Sequence, residues 1–572
     1  MLIAKNIIKD AGTSRILNGV SLAMGTGQKV ALVGANGVGK STLLRILAGT
    51  DDVFRGTVQK AKHSGVGYLE QEVVALADET IGEYLLRKAG LQELETLIQK
   101  LGKKLDDPIA AEEYAQVSEQ YRKRGGYDWE ARVGILLEGL GMRGVALDRP
   151  VSQLSGGQKS KVNLIATLLR GADILLLDEP TNNLDLPALL WLEAFLLQSS
   201  ATCLIASHDR AFLDRLVTKV FEIDWFTRII KVYSGNWSTY AQTKALEERR
   251  LKSLYQQQQE EVHRLEKSGK QKMHDSQAAE DNKKPWPDGD KMTRNFKREK
   301  AAKKFSAAAQ ALLSRADQAK VIERPEEREP LELHFDAAVN EEDENARAID
   351  LQDGVAGYYR GEAGEWSLGP ISFHITWSDR VAILGKNGSG KSTLFKMLTG
   401  KLPLWSGALT FGAGIVLGDF MQEHETLPRE WLPMELFSKR AGLEDTTRVA
   451  LLLHKFHLGY DAMRKKIGEM SPGERARLLL ALYDEMKVNT LFLDEPTNHL
   501  DVEAIQELEQ MLARYAGTVV LVTHDRAFLG RIDRMRSFVL EEGKLDEIGE
   551  YQTYADRLTR DAKRLLRRMP KI

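Results

Sequence analysis

Short, wholly apolar runs that stop at a glycine or an acid recur along this chain and predict strands buried on both faces. Val30-Ala-Leu-Val33 leads into a glycine-rich turn, Leu175-Leu-Leu runs into Asp178-Glu179, and further apolar strands end at His208 and His524. The turn after Val33 opens a helix over 41–48. Leu91-Gln-Glu-Leu-Glu-Thr-Leu-Ile-Gln-Lys-Leu101 spaces its apolar residues by three and four, which predicts an amphipathic helix. Between 241 and about 325 the pattern changes: glycine is scarce, and Leu251, Leu254, Val262 and Leu265 recur at helical intervals, as do Phe305, Ala308, Leu312, Ala316 and Ala319. Turn formers in Asp281-Asn-Lys-Lys-Pro-Trp-Pro-Asp-Gly-Asp290 interrupt that pattern. The segment reads as two long helices folded back across a tip near 271–293, with about 30 residues per helix and a reach of about 45 Å. Pro325 and the acidic run Glu326-Glu-Arg-Glu329 close it. No apolar run approaches the roughly 18 residues needed to cross a bilayer.

The chain also repeats itself. Gly34-Ala-Asn-Gly-Val-Gly-Lys-Ser-Thr42 returns as Gly385-Lys-Asn-Gly-Ser-Gly-Lys-Ser-Thr393. Leu175-Leu-Leu-Asp-Glu-Pro-Thr-Asn-Asn-Leu-Asp185 returns as Leu491-Phe-Leu-Asp-Glu-Pro-Thr-Asn-His-Leu-Asp501, and Ser207-His-Asp-Arg-Ala-Phe-Leu213 as Thr523-His-Asp-Arg-Ala-Phe-Leu529. Lys40 to Lys391 and Gln71 to Gln422 are both 351 apart, whereas Asp178 to Asp494 and His208 to His524 are 316 apart. The first copy therefore carries 35 extra residues between Gln71 and Ser155, either as a helical appendage or as a longer version of a helical subdomain present in both.

Length and composition narrow the class. A chain of 572 residues holds two to four domains. The near balance of 80 basic and 82 acidic residues, with 43% apolar residues, is ordinary for a folded soluble protein. One cysteine, Cys203, excludes an internal disulfide framework and a four-cysteine zinc site. The N-terminus meets Asp10 before a signal-like apolar core develops, and the expected location is cytoplasmic.

The repeated residues carry phosphate chemistry. Glycines in the two loops let successive backbone N–H groups point at phosphate oxygens, Lys40 and Lys391 supply charge to the terminal phosphates, and Ser41 and Ser392 offer hydroxyls to Mg2+. The helix behind each loop adds a favourable dipole. Asp178 and Asp494, at strand ends, suit the same cation; Glu179 and Glu495 follow, placed to orient or deprotonate water. Each histidine sits 30 residues after its carboxylate pair, a repeated distance that favours a catalytic role over packing.

Leu154-Ser-Gly-Gly-Gln158 is the most discriminating segment, and with it the chain resembles the ATP-binding cassette ATPases. In that resemblance Gln71 and Gln422 are Q-loop residues and metal neighbours, Ser155, Gly156, Gly157 and Gln158 form one signature, and Ser471, Gly473 and Glu474 belong to the other. Leu184-Asp185 and Leu500-Asp501 are D-loops, and His208 and His524 the switch histidines. The ATP-binding set comprises Gly34, Asn36, Gly37, Gly39, Lys40, Ser41 and Thr42, with Gly385, Asn387, Gly388, Gly390, Lys391, Ser392 and Thr393 in the second copy. Cassette pairing within one monomer would join the Lys40 set, site one, to Ser471 and Gly473, and the Lys391 set, site two, to Ser155, Gly156 and Gly157. Three departures stand out. Pro472 replaces a glycine and removes a backbone donor, Asn183 stands where the other copy has His499, and no aromatic lies near Ala11 to stack on adenine. Tyr358 or Tyr359 is the candidate stacker of the second copy.

Two cassettes, a helical hairpin between them, and Tyr233-Ser-Gly-Asn-Trp-Ser-Thr-Tyr240 leading into it resemble the ABC-F family. The resemblance implies an α/β fold of two P-loop cassettes, with the first at 1–240 and its arm at about 75–150. A hairpin linker follows at 241–325, then a connector at 326–344, the second cassette at 345–556 and a short basic tail at 557–572. It further implies Mg-dependent ATP hydrolysis and binding to the ribosome near the tRNA exit site, touching rRNA and peptidyl-tRNA, either as a translation factor or in antibiotic resistance. Residues 241–320 carry 19 basic and 12 acidic side chains, a net +7, against −9 for the remainder. Lys283, Lys284, Lys291, Arg294, Lys297 and Arg298 are candidate RNA contacts or a solvated helix face, and Trp286 stacks on a base or packs on the hairpin. An export ATPase and a DNA-junction ATPase are the competing classes.

Overall fold

The computed structural model describes residues 1–570 apart from 13, 36, 62–63, 71–75, 77, 282–290, 319–345, 360–364, 421–426, 498–499, 501 and 533. It forms two compact units, one of residues 1–237 with 330–572 and the other of residues 238–329.

The larger unit opens with β1 (Leu2–Ala11), β2 (Ser14–Met24), β3 (Lys29–Val33), α1 (Lys40–Ala48), β4 (Arg55–Lys60) and β5 (Val66–Leu69). Helices α2 (Ile81–Ala89), α3 (Gln92–Gly102), α4 (Pro108–Lys123), α5 (Trp129–Gly139) and α6 (Gly156–Leu169) follow. The first cassette closes with β6 (Ile174–Asp178), α7 (Leu186–Gln198), β7 (Thr202–Ala206), α8 (Arg210–Leu216), β8 (Lys219–Ile223) and β9 (Ile230–Ser234). The smaller unit contains α9 (Trp237–Asp281) and α10 (Lys291–Gln318). The second cassette repeats the plan with β10 (Arg347–Tyr359), β11 (Glu365–Thr376), β12 (Arg380–Leu384), α11 (Lys391–Leu398), β13 (Ser406–Phe411) and β14 (Leu417–Phe420). Then come α12 (Pro433–Ala441), α13 (Thr446–Lys455), α14 (Pro472–Glu485), β15 (Thr490–Asp494), α15 (Val502–Arg514), β16 (Thr518–Val522), α16 (Arg526–Leu529), β17 (Met535–Glu541), β18 (Lys544–Ile548) and α17 (Tyr551–Leu566).

Each cassette has a six-stranded sheet, ordered β5-β6-β7-β3-β8-β9 in the first and β14-β15-β16-β12-β17-β18 in the second. All pairings in it are parallel except the last. The strands predicted from apolar runs, β3, β6 and β7, are buried throughout, as strands covered on both faces must be. A three-stranded antiparallel sheet (β2-β1-β4 or β11-β10-β13) caps one side, and the apolar core lies between it and the main sheet, around α1 and α11. Because β6, β7 and β3 are neighbours, their carboxyl ends bring the carboxylate pair, the histidine and the phosphate loop to one edge, where open α/β sheets bind ligands.

The 35-residue surplus falls at one place. Between α2 and α5 the first cassette inserts α3 and α4, where α12 and α13 are joined by Gly442–Asp445 alone. The insert packs on itself through Leu101, Ala110 and Val117, so it is an added hairpin rather than a lengthened common helix. In the smaller unit α9 has 45 residues, hence about 67 Å, well beyond the 45 Å expected. It starts at Trp237 and contains no proline to stop it. A Cβ at Gly269 would lie 3.0 Å from Leu313 Cδ2, so glycine permits the close approach of α9 and α10. At the other end, residues 557–566 are not a free tail. They continue α17, whose buried face of Leu558, Ala562 and Leu566 packs on α7 and α5 of the first cassette.

Candidate functional site

Each phosphate loop connects the central strand of its sheet to a helix. Gly34, Gly37 and Gly39, with Gly385, Gly388 and Gly390, all hold positive φ, which side chains resist. At Gly385 the constraint is double: φ is +149° and a Cβ would meet Leu540 O at 2.5 Å. Inside the loops the lysines fold back onto carbonyls, Lys40 Nζ donating to Gly34 O (2.7 Å) and Lys391 Nζ to Gly385 O (2.8 Å) and Lys386 O (3.0 Å). Burial is the largest influence on Lys391 and lowers its pKa, against the opposing pull of Glu495, Asp185 and Asp494. Thr42 and Thr393 are buried in the first turns of α1 and α11.

At the strand ends Ser392 Oγ donates to Asp494 Oδ2 at 2.8 Å, and Ser41 hydrogen-bonds Asp178 in the first copy. Glu179 and Glu495 adopt φ of +49°, a strained backbone for a side-chain-bearing residue, fixed by hydrogen bonds of 2.8 Å that their backbone N–H groups donate to Ala206 O and Val522 O. Burial pushes both carboxyls up to about 8, although the neighbouring lysine ammonium pulls each down. Both Glu179 oxygens and Glu495 Oε1 are buried without a well-formed hydrogen bond. The histidines stand against them, His208 Nε2 3.2 Å from Glu179 Oε1 and His524 Nε2 3.3 Å from Glu495 Oε1. Burial drives the His524 pKa down to about 3, so this imidazole is neutral at pH 7.

Both sets open into one cavity of about 1130 Å3, lined by Lys40, Ser41, Asp178, Glu179 and His208 and by Lys391, Ser392, Asp494, Glu495 and His524. The cassettes touch across it. The amide of Asn387, in the second phosphate loop, donates to Asp185 Oδ2 at 2.8 Å, and its side chain donates to Asn183 O at 3.1 Å. Asp185 also caps α7, accepting from Ala188 N at 3.2 Å. Asn183 takes φ of +62°, a conformation asparagine tolerates better than most residues.

The two signatures differ. Ser155 caps α6 in a reciprocal box with Gln158 (3.1 and 3.3 Å), and Ser155, Gly157 and Gln158 line the cavity. Gly156 is the first residue of α6. Ser471 caps α14 in the same way with Glu474 (2.7 and 3.2 Å), yet Ser471, Gly473 and Glu474 are not among the cavity-lining residues. Pro472 occupies the first helical position, where a missing N–H leaves no intrahelical bond unmade. Of the candidate stackers, Tyr358 lines the cavity, whereas Tyr359 lies against Trp405 instead, its ring tilted by 33° at a centroid distance of 5.3 Å. Trp366, paired with Tyr358 across the β10–β11 ladder and also lining the cavity, was not anticipated; the two-residue alternation of the hairpin was the available signal. In the first copy Ile16 takes the corresponding wall.

Asn36, Gln71, Gln422, His499, Asp501, Lys283, Lys284 and Trp286 lie outside the described residues. Lys291, Arg294, Lys297 and Arg298 fall on α10.

A sequence profile described as "ABC transporter" matches residues 17–182 and 368–498, both containing a phosphate loop and the Asp-Glu pair. The putative ATP-binding protein YdiF of Bacillus subtilis is 33% identical over 569 residues, spanning 98% of this chain and 83% of YdiF. The tylosin resistance ATP-binding protein TlrC of Streptomyces fradiae is 35% identical over 532 residues, 90% of this chain and 93% of TlrC. The chain belongs to the ABC-F family. The solved structure of RNase-L Inhibitor matches this ABC-F chain's fold at a TM-score of 0.58 with 18% identity, covering 98% of this chain and 93% of that one.

The donor set suits a magnesium nucleotide. Among the described residues no group of three or more His, Cys, Asp or Glu side chains forms a self-sufficient metal cage. One carboxylate with one hydroxyl, as in Ser392 and Asp494, is what Mg2+ uses when phosphates and water complete its shell. Ammonium groups that donate to the carbonyls of their own phosphate loops, and buried carboxyls facing the same cavity, fit the triphosphate itself.

Proposed function

We propose that this ABC-F chain hydrolyses Mg-ATP at two sites shared between its cassettes and couples that cycle to the ribosome. In this reading it binds near the tRNA exit site, with the α9–α10 hairpin directed at peptidyl-tRNA and rRNA, and so modulates translation or protects it from antibiotics. The observation that carries the reading is the contact of Asn387 with Asp185 and Asn183, because it puts one cassette's phosphate loop on the other cassette's D-loop.

Ser41 and Asp178, or Ser392 and Asp494, would hold Mg2+, with Gln71 or Gln422 as further neighbours; the cation supplies charge neutralisation on the phosphates. Lys40 and Lys391 position the terminal phosphate oxygens, and the α1 and α11 N-termini add their dipoles. Glu179 and Glu495, buried and raised in pKa, take a proton from the attacking water. His208 and His524 orient that water and the γ-phosphate it attacks, with ADP as the leaving group. Ser155 and Gly157, at the start of α6, close site two from the opposite side, and Ser471 and Gly473 are assigned the same part at site one. Contacts made only with the triphosphate present would favour closure, and hydrolysis would release it.

The net +7 of residues 241–320 supports RNA as the partner of the hairpin, and the tylosin resistance in the name of TlrC supports the antibiotic-protection arm of the reading. Among the described residues no helix is long and apolar enough to cross a membrane, so an export role would require a separate membrane partner. The test is sedimentation of the Glu179→Gln, Glu495→Gln protein with ATP on a sucrose gradient. Co-migration with ribosomes is expected; protein remaining at the top, or binding to branched DNA insensitive to ribonuclease, contradicts the reading.

A further inference from the structure

Two residues beyond each histidine lies an arginine, Arg210 or Arg526, whose guanidinium hydrogen-bonds a glutamate of the other cassette. Arg210, buried, forks onto Glu509 of α15, with Nη1 3.1 Å from Oε2 and Nη2 on Oε1. Arg526 Nη2 donates to Glu193 Oε2 of α7 at 2.8 Å. Each glutamate is also held within its own cassette, Glu193 by Arg215 (3.0 Å) and Glu509 by Arg531 (2.7 Å). All of these residues recur at the 316 spacing with identity kept: Asp209 and Asp525, Arg210 and Arg526, Glu193 and Glu509, Arg215 and Arg531. Asp209 and Asp525 cap α8 and α16 through Phe212 N (2.8 Å) and Phe528 N (2.9 Å), which makes the stretch from histidine to arginine one stiff turn.

The geometry points to Glu193 and Glu509 as positioning residues acting in trans, each fixing the histidine of the opposite cassette through Arg526 or Arg210. Helix α7 then touches site two twice. Its N-cap, Asp185, binds Asn387 in the phosphate loop, and Glu193, eight residues or about 12 Å further on, binds the arginine that follows His524. The paired strands β12 and β16 set the spacing of phosphate loop and histidine within the second cassette, and because a helix does not stretch, α7 fixes the placement of both against the first cassette. For site one, α15 holds the His208 turn through Glu509. A buried charged pair is weak as a source of stability but strict in geometry, which suits such a part.

This inference rests on the hydrolytic reading above, and its test separates the two. Glu179→Gln leaves only site two to be read, and Glu495→Gln only site one. In the first background Arg526→Met is expected to lower kcat on the order of tenfold with KM changed less than about twofold; in the second it leaves turnover within about twofold. Arg210→Met gives the mirror result. Arg526→Lys, which keeps the charge and secures folding, recovers most of the loss, and Glu193→Gln added to Arg526→Met costs little more. Equal losses at both sites, a change confined to KM, or additive losses overturn the inference while hydrolysis stands. Absence of turnover in both backgrounds overturns the hydrolytic reading and this inference with it.

Discussion

The two signature helices begin alike and end up in different places. Ser155 and Ser471 cap their helices through the same reciprocal box, but the first faces the shared cavity with Gly157 and Gln158 while the second does not line it. The acid at Glu474 replaces the neutral Gln158. Partial burial raises its pKa, yet the Ser471 amide and the Lys465 ammonium more than offset that and hold it below the usual range, so it stays charged. In the proposed pairing, a permanent negative charge and a proline at that helix start would make the second signature a poorer phosphate partner for site one than Ser155, Gly156 and Gly157 are for site two. Duplication of motifs therefore did not produce two equal surroundings for the signature helices.

The largest effect that would sharpen this comparison is loss of both glutamates: Glu179→Gln with Glu495→Gln should lower phosphate release more than about 100-fold while nucleotide binding persists. Measured singly, Glu495→Gln should remove the larger share of turnover if site two is the better site. Asp185→Ala comes next. It removes the Asn387 contact and the α7 cap, so turnover read in the Glu179→Gln background should fall on the order of tenfold, with about 1 kcal/mol of stability lost in denaturant unfolding. Equal loss in the Glu495→Gln background would break the assignment of this contact to site two. Deleting α3 and α4 and joining α2 to α5 with four residues, as the second cassette does, should leave ATPase activity within about twofold, because the insert holds its own small core. Smallest among the substitutions, Pro472→Gly, which restores a backbone N–H at the start of α14, should raise site-one turnover, read in the Glu495→Gln background, about two- to threefold, and should cost about 0.4–1 kcal/mol of stability, since proline there restricts the unfolded chain.

Much of this was legible in the residues. Apolar runs ending in Asp178, Asp494, His208 and His524 predicted both the strands and the edge at which those side chains meet, because a buried parallel strand has no polar alternation to disguise it. The 35-residue offset predicted an insertion, but only the structure shows that it is a two-helix hairpin with its own contacts. The basic run at the C-terminus read as a tail since the helix that carries it, α17, finds its partners on α7 and α5, about 370 to 430 residues earlier, a separation periodicity does not reveal. The Arg210–Glu509 and Arg526–Glu193 pairs were hidden for the same reason: the 316 spacing marks all four residues as repeated without indicating that each pairs with the other copy. Trp366 became legible only when the ladder set it beside Tyr358.

The central claim is that the first signature serves the second phosphate loop. Single-turnover hydrolysis by Ser155→Ala, read separately in the Glu179→Gln and Glu495→Gln backgrounds, tests it most directly. The account predicts a loss of about tenfold or more where only site two is active and turnover within about twofold where only site one is; the reverse pattern would contradict it.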